Sequence, residues 1–424
     1  MKRARRSALV LSLLLATSCA RTHVPPPPVF GFDAEAGIDA HMQDASEPDA
    51  DQPAPTGLRN VIVFLGDGMG PEHLATGRYP VGTRLRIDAL HGPSLVNTDS
   101  LTTLRIGGGN PPATDSAAAA TAIAAGMLVE NGVLSQTPDG QPMPTVLEAF
   151  KRTGRRTGVV TTSYFFDATP AAFASHQPSR GRYAEIAHEM IDVTQPEVIM
   201  GAGGWLVDDA QSGVRDSIDS AGYTLVRSLD ALLAWDPSAS TRVFGLFSTN
   251  FVPAVTASES FTMTPALERT NNSADPPLAV MTERAIDLLS QGSGFFLLAE
   301  DELFDEMSHR GPAEVAWANR ALPAQVAAFD AAVGVAIDWV LRRSSFEETL
   351  IVVLADHETG GYHFDHGIGP ETGDFSAFSD NGVLRSGFHT RTPIAVYALG
   401  PGSERLAGAA SLADVHRLLL QNLP

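Results

Sequence analysis

From Asn60 the chain carries a continuous apolar run, Val61-Ile62-Val63-Phe64-Leu65, stopped by Gly66-Asp67-Gly68. A run without polar alternation predicts a strand buried on both faces, and the glycines predict a tight turn at its end. Comparable runs recur at Gly158 to Thr162, Glu197 to Met200, Val243 to Phe247, Phe295 to Ala299, Leu350 to Ala355 and Ile394 to Leu399. Between several of them the apolar spacing becomes helical, at Ser116 to Ala125, Thr145 to Arg152, Arg182 to Ile191, Leu278 to Leu289 and Ala324 to Leu341. Buried strands alternating with helices predict an α/β fold, a mostly parallel central β-sheet sandwiched by helices in three layers. Ser258 to Pro277 and Gly367 to Gly387 read as long loops. No internal repeat and no second break in composition divides the rest, so residues 57–424 are expected to form one large domain.

The N-terminal part departs from this pattern. Lys2, Arg3, Arg5 and Arg6 precede an apolar run from Ala8 to Ala16, which marks residues 1–18 as an export signal too short for a stable membrane span. Ala16-Thr17-Ser18-Cys19 resembles a bacterial lipoprotein cleavage box. The expected mature chain therefore begins at a lipidated Cys19, attached to a membrane of the bacterial envelope as a periplasmic or surface lipoprotein. Cys19 is the only cysteine, so no disulfide supports the fold. Residues 19–56 are rich in Pro and Asp with few large apolar side chains, the composition of a disordered tether.

Charge narrows the possible partners. The chain carries a formal charge of -20, and loss of residues 1–18 with their four basic side chains takes it to -24. So acidic a protein is not expected to seek nucleic acid. Part of the surplus is explained if carboxylates gather as metal ligands.

In open α/β sheets ligands bind outside the carboxyl ends of the strands. Asp67 follows the first strand and Asp167 and Thr169 the second. Glu300, Asp305 and His309 follow the strand at Phe295, and Asp356 and His357 the strand at Leu350. One such acid is ordinarily a helix cap or turn former. Acids at four strand ends of one sheet point to a metal cluster, with Asp and His together suiting Zn²⁺ and oxygens alone suiting Mg²⁺. Asp305 and His309, four apart, would share one side of a helical turn. Ser116 opens an alanine-rich helix, where it is either an ordinary N-cap or a nucleophile beside the positive end of the helix dipole.

Six stretches in this order, Gly66-Asp67-Gly68-Met69-Gly70, Thr114-Asp115-Ser116-Ala117, Asp167-Ala168-Thr169-Pro170, Glu300 with Asp305 and His309, Ala355 to Gly361, and Phe388-His389-Thr390, resemble the successive motifs of alkaline phosphatases. The resemblance spans Asn60 to the C-terminus. It implies two zinc ions and one magnesium ion around a phosphorylated Ser116. The first zinc would lie on Asp305, His309 and His389, and the second on Asp67, Ser116, Asp356 and His357. Asp67 would bridge to magnesium, held also by Thr169 and Glu300, with Asp167 contacting its waters. Arg180 would grip two phosphate oxygens. The implied activity is hydrolysis of small phosphate monoesters through a phosphoserine, with Ser116 activated by metal and no histidine base.

Two other functions remain open. One is a phosphodiesterase or sulfatase of the same superfamily, although diesterases commonly use threonine as nucleophile and the sulfatase Cys/Ser-x-Pro-x-Arg context is absent around Ser116. The other is a non-catalytic phosphate-binding surface protein. Many relatives are dimers, so a homodimer is an expectation of the resemblance, against which stands the shortness of this chain. Asp301 and Glu306 depart from the family pattern and are expected to add negative charge near the phosphate. His363, Asp365 and His366 read as a loop packed beside the site, Gly107 to Gly109 as an approach to Ser116, and His176 and His188 receive no role.

Overall fold

The computed structural model describes residues 57–78, 84–106, 111–247, 276–364, 382–421 and 423. The export signal, Cys19, the acidic tether, Gly107 to Gly109, Asp365, His366 and most of the two expected loops lie outside the described residues.

The apolar runs form the centre of a nine-stranded sheet, here numbered β1 to β9 in chain order: Asn60–Gly66, His91–Val96, Arg156–Tyr164, Val198–Ala202, Thr224–Val226, Val243–Leu246, Phe295–Asp301, Thr349–Leu354 and Ile394–Leu399. Their spatial order is β2-β9-β8-β1-β7-β3-β4-β6-β5. The strands from β8 to β5 pair in parallel, whereas β9 runs antiparallel to both β8 and β2. Every residue of β1, β7 and β8 is buried, as a strand with helices on both faces requires. All seven predicted runs are strands.

The sequence pattern missed the two edges. His91–Val96 is exposed along most of its length and contains Pro93, and Thr224–Val226 has only three residues. An edge strand needs no apolar run on both faces, so neither gives that signal.

The helices that matter for the site are α1 (Ser116–Ala125), α2 (Val146–Arg152), α3 (Ala168–Ala174), α4 (Leu278–Leu289), α5 (Leu303–Ser308) and α6 (Val315–Arg343). α1 and α3 are both alanine-rich and pack on one another. With no side chain larger than Ile123 on α1, the two backbones approach closely, which brings the start of α1 beside the start of α3. Gly126, at φ 73°, ends α1 in the left-handed conformation that glycine adopts without strain. α6 begins nine residues before the predicted start, because it runs through Pro323. Its Ala321–Arg343 portion is long and apolar enough to cross a membrane. Here Leu322, Val326, Phe329, Val333 and Ile337 are wholly buried, and the helix packs against α4. Burial of each such side chain contributes about 1.5–3 kcal/mol, so the apolar length is accounted for by the core.

Candidate active site

The four strands that end in acids, β8, β1, β7 and β3, are neighbours at the middle of the sheet and run in one direction. Their carboxyl ends therefore meet at one edge. β1 delivers Asp67 into a turn whose Gly68 has φ 72°, and the Gly68 N–H donates to Asp356 Oδ1 at 3.1 Å. A Cβ on Gly68 would lie 2.8 Å from the Asp305 backbone, so the turn closes this tightly only with glycine.

Ser116 is not the helix cap. Asp115 is, its Oδ1 accepting from Ala118 N and Gly132 N at 3.0 Å each. Ser116 is the first helical residue, 4 % exposed, with its hydroxyl left for other chemistry. Its Oγ lies 3.3 Å from His357 Nε2. The same nitrogen is 3.1 Å from Asp356 Oδ2 and 3.5 Å from Asp67 Oδ1, and both of these buried oxygens lack a hydrogen-bond partner. Burial, with His389 stacked at 3.6 Å between ring centroids, holds the His357 imidazole well below its ordinary pKa. A neutral imidazole, a hydroxyl and two unpartnered carboxylate oxygens thus converge on one point. Without a positive charge among them this arrangement is repulsive. Among the described residues the arrangement fits a divalent cation.

A second group lies beside it. His309 Nε2 is 3.0 Å from Asp305 Oδ2, His389 Nε2 is 3.4 Å from Asp305 Oδ1, and the two ring nitrogens are 3.1 Å apart. On the far side of each ring, Nδ1 lies 2.8 Å from Gly387 O and 2.9 Å from Thr114 O, respectively. A backbone carbonyl can only accept, so each Nδ1 carries the proton and each Nε2 can present a lone pair inward. Burial alone would raise Asp305, but the two histidines hold its carboxyl well below the usual range. Two imidazoles and one carboxylate are a zinc-type donor set.

The third group contains oxygens only. One carboxylate oxygen each from Asp67, Glu300 and Glu302 lie within 4.8 Å of one another. Burial pushes Glu300 up to about 8, with Asp167 and Asp356 adding to it. Thr169, 1 % exposed at the start of α3, makes no hydrogen bond of ordinary geometry through Oγ1. These are hard-cation ligands.

Asp167 stands apart from these groups. Its Oδ1 caps α3 through Ala168 N at 2.7 Å and accepts from Arg180 Nη2 at 3.0 Å, while Oδ2 accepts from Ser163 Oγ at 2.8 Å. Asp115 Oδ2 is 3.6 Å from Arg180 Nη1. The guanidinium is thereby held between the caps of two helices, one of which begins with Ser116. Asp301 is also placed differently from expectation. Its Oδ2 accepts from Gln325 of α6 and its Oδ1 from Leu303 N at 3.1 Å, so its charge faces α6 and not the expected phosphate position. Glu302, which no sequence motif marks, takes the inward place beside Asp67 and Glu300. The available signal was that adjacent side chains leaving a strand point apart: β7 ends at Asp301 and Glu302 follows it into the start of α5, so the two acids face different ways.

His176 and His188, given no role, are structural, and His363, expected in a loop beside the site, makes loop contacts. His188 contacts Asp192 and Ser217, and His363 contacts Gly361 O and Arg385. His176 lies between Glu189, 2.9 Å from Nδ1, and Glu148, 3.5 Å from Nε2, and anchors the loop that carries Arg180. Burial would lower its pKa, but the two glutamates raise it to about 9. A folded-state pKa above the unfolded value contributes stability that is full below about pH 6.5 and is lost as pH rises through about 9. His176→Gln is accordingly expected to destabilise the protein by at most about 3 kcal/mol at pH 6. The difference between wild type and variant should shrink towards pH 9.5 in denaturant titrations, and a pH-independent difference would refute the ion pair.

The sequence profile of the family described as alkaline phosphatase matches residues 58–373. Streptomycin-6-phosphate phosphatase of Streptomyces griseus is 31% identical over 86% of this chain and 90% of its own length. Alkaline phosphatase 4 of Bacillus subtilis is 30% identical over 76% of this chain and 66% of its own. Among solved structures, a TAB5 alkaline phosphatase variant with Mg bound in its M3 site aligns with a TM-score of 0.69 and 24% identity, covering 87% of this chain and 98% of that one. This structural likeness concerns the fold.

Proposed function

The chain belongs to the alkaline phosphatase family, and from this premise we propose that it hydrolyses phosphate monoesters with Ser116 as nucleophile. Asp305, His309 and His389 would hold one zinc ion, Asp67, Asp356 and His357 with Ser116 a second, and Asp67, Thr169 and Glu300 a magnesium ion. Bound there, such cations lower the pKa of a coordinated hydroxyl and take up charge on the entering and leaving oxygens. The observation that carries the reading is the convergence of Ser116 Oγ, His357 Nε2 and two unpartnered carboxylate oxygens within 3.5 Å of that nitrogen.

The remaining work falls to the chain. The start of α1 puts the positive end of a ten-residue helix beside Ser116, where it favours both an alkoxide and a bound phosphate. Arg180, fixed by Asp167 and Asp115, offers paired N–H donors of the geometry that two phosphate oxygens require. Because its guanidinium is already oriented, little freedom is lost when phosphate binds.

A different use of Ser116 would make His357 its general base, since they are 3.3 Å apart. In that arrangement an acid should orient the imidazole through Nδ1. The partner there is the Thr359 hydroxyl at 3.2 Å, and both acids lie on the Nε2 side. That placement favours a cation.

Monoester preference is supported by the similarity to a phosphatase named for a monoester, streptomycin 6-phosphate. Steady-state hydrolysis of an aryl phosphate and its bis-aryl diester tests it. We expect kcat/KM to favour the monoester by at least about 100-fold, roughly 2.7 kcal/mol of transition-state discrimination. Preference for the diester would overturn the assignment.

A further inference from the structure

We propose that Glu302 is a direct ligand of the all-oxygen cation site, which thereby presents three carboxylates and the Thr169 hydroxyl. The inference rests on the three-cation reading above and adds a ligand to it. Glu302 is 7 % exposed, and one of its carboxylate oxygens lies within 4.8 Å of oxygens of Asp67 and Glu300, which are 2 % and 1 % exposed. Three carboxylates buried this closely repel one another unless a cation lies between them. Arg180, the cation beside this cluster, is directed to Asp167 and Asp115.

Two buried carboxylate oxygens of this group, Asp67 Oδ1 and Glu300 Oε1, lack hydrogen-bond partners, and the Thr169 hydroxyl, close against Glu300, makes no hydrogen bond of ordinary geometry. Thr169 carries no charge, so the place of its buried hydroxyl beside Glu300 is not a by-product of acids crowding together. A hard cation accepting all of these oxygens satisfies them together.

The local backbone explains why Glu302 and not Asp301 takes this place. Glu302 N donates to Thr162 Oγ1 of β3 at 3.0 Å, and Glu302 O accepts from Asp305 N at 3.2 Å as α5 begins. The segment is thus pinned on both sides, with Asp301 engaged by Gln325 and Leu303 N on the opposite face. A third carboxylate raises the negative charge of the site and its count of protein oxygens. Both changes increase affinity for a divalent hard cation.

The test is equilibrium dialysis of the whole chain against Mg²⁺ with zinc held saturating, bound metal being measured by elemental analysis. Glu302→Gln and Glu302→Ala should retain zinc and bind Mg²⁺ at least tenfold more weakly than wild type, whereas Asp301→Asn should bind it as wild type does. Thermal unfolding provides a second readout: Mg²⁺ should raise the midpoint of wild type and of Asp301→Asn, and at the same concentration that of Glu302→Gln by less. In the metal-free state Glu302→Gln should unfold no lower than wild type, because it removes a repelling charge. Mg²⁺ affinity of Glu302→Gln within twofold of wild type overturns the assignment. A wild-type chain that binds zinc but no Mg²⁺ overturns the third cation itself, a distinct result.

Discussion

Ser116→Ala is expected to lower kcat by at least about 10³-fold on phosphate monoesters while leaving the fold and its thermal midpoint nearly unchanged. The separation between the two effects follows from the position of the residue. Capping of α1 belongs to Asp115, so the hydroxyl of Ser116 satisfies no helix N–H. Alanine is the best helix former, and four alanines in a row already follow at Ala117 to Ala120, all buried without strain. What the substitution removes is the one hydroxyl that faces His357 Nε2 beside the Asp67 and Asp356 carboxylates. Inorganic phosphate should still bind to Ser116→Ala, since Arg180 and its two acidic anchors are untouched. Acid quenching of wild type during turnover should trap one phosphoryl group per chain, and the variant should trap none. Near-wild-type turnover by Ser116→Ala, or a trapped phosphoryl group at another residue, would eliminate Ser116 as nucleophile.

The contrast between Ser116 and Asp115 shows where sequence was informative and where it was not. A polar triplet before an alanine run locates a helix start, but Thr, Asp and Ser are all acceptable caps, and neighbouring positions differ by only a fraction of a kcal/mol. Cap identity depends on which side chain meets the Ala118 and Gly132 N–H groups, and the second of these belongs to a loop sixteen residues away from Ser116. The buried strands were legible because burial on both faces leaves a run of apolar residues. The edges β2 and β5 were not, because one side of each meets solvent. The proposed ligands Asp67, Glu300, Asp305, Asp356 and His357 could be gathered from the rule that parallel strands place their ends at one edge. Arg180 and His389 follow no such rule, since Arg180 lies in a loop and His389 in a two-residue strand paired with Glu358–Thr359 outside the main sheet, and only family resemblance marks them. Asp301 and Glu302 differ for a simpler reason: adjacent side chains leaving a strand point apart, so neighbours in sequence are not neighbours in the site.

Exhaustive chelation is expected to lower activity and stability together, and the second effect is what distinguishes a metal centre from a serine–histidine pair. Asp67, Glu300, Glu302 and Asp356 are all less than 8 % exposed, and burial raises the pKa of each. Two carboxylates 4.8 Å apart repel by about 3 kcal/mol at an effective dielectric near 20, and Asp67, Glu300 and Glu302 contain three such pairs. A protein stable by roughly 5–15 kcal/mol tolerates this only with compensating charge or with some of the acids protonated. A cation present at about 1,000 times its Kd stabilises the folded state by about 4 kcal/mol, so loss of several should lower the thermal midpoint by roughly 10 °C. Calorimetry after exhaustive chelation should show that fall, and turnover should drop at least about 10³-fold. Zinc is expected to restore most of the activity, because the groups that contain histidine face Ser116. If His357 were instead the base, chelation would leave turnover intact, for neither the Ser116–His357 contact nor the anchors of Arg180 depend on a metal. Full activity in a chain shown by elemental analysis to be free of zinc and magnesium would therefore select that mechanism and reject the metal one. The four central carboxylates would then need another source of positive charge, and within reach of them the described residues offer Arg180, whose two anchors already engage it, and His389, which Asp305 already engages.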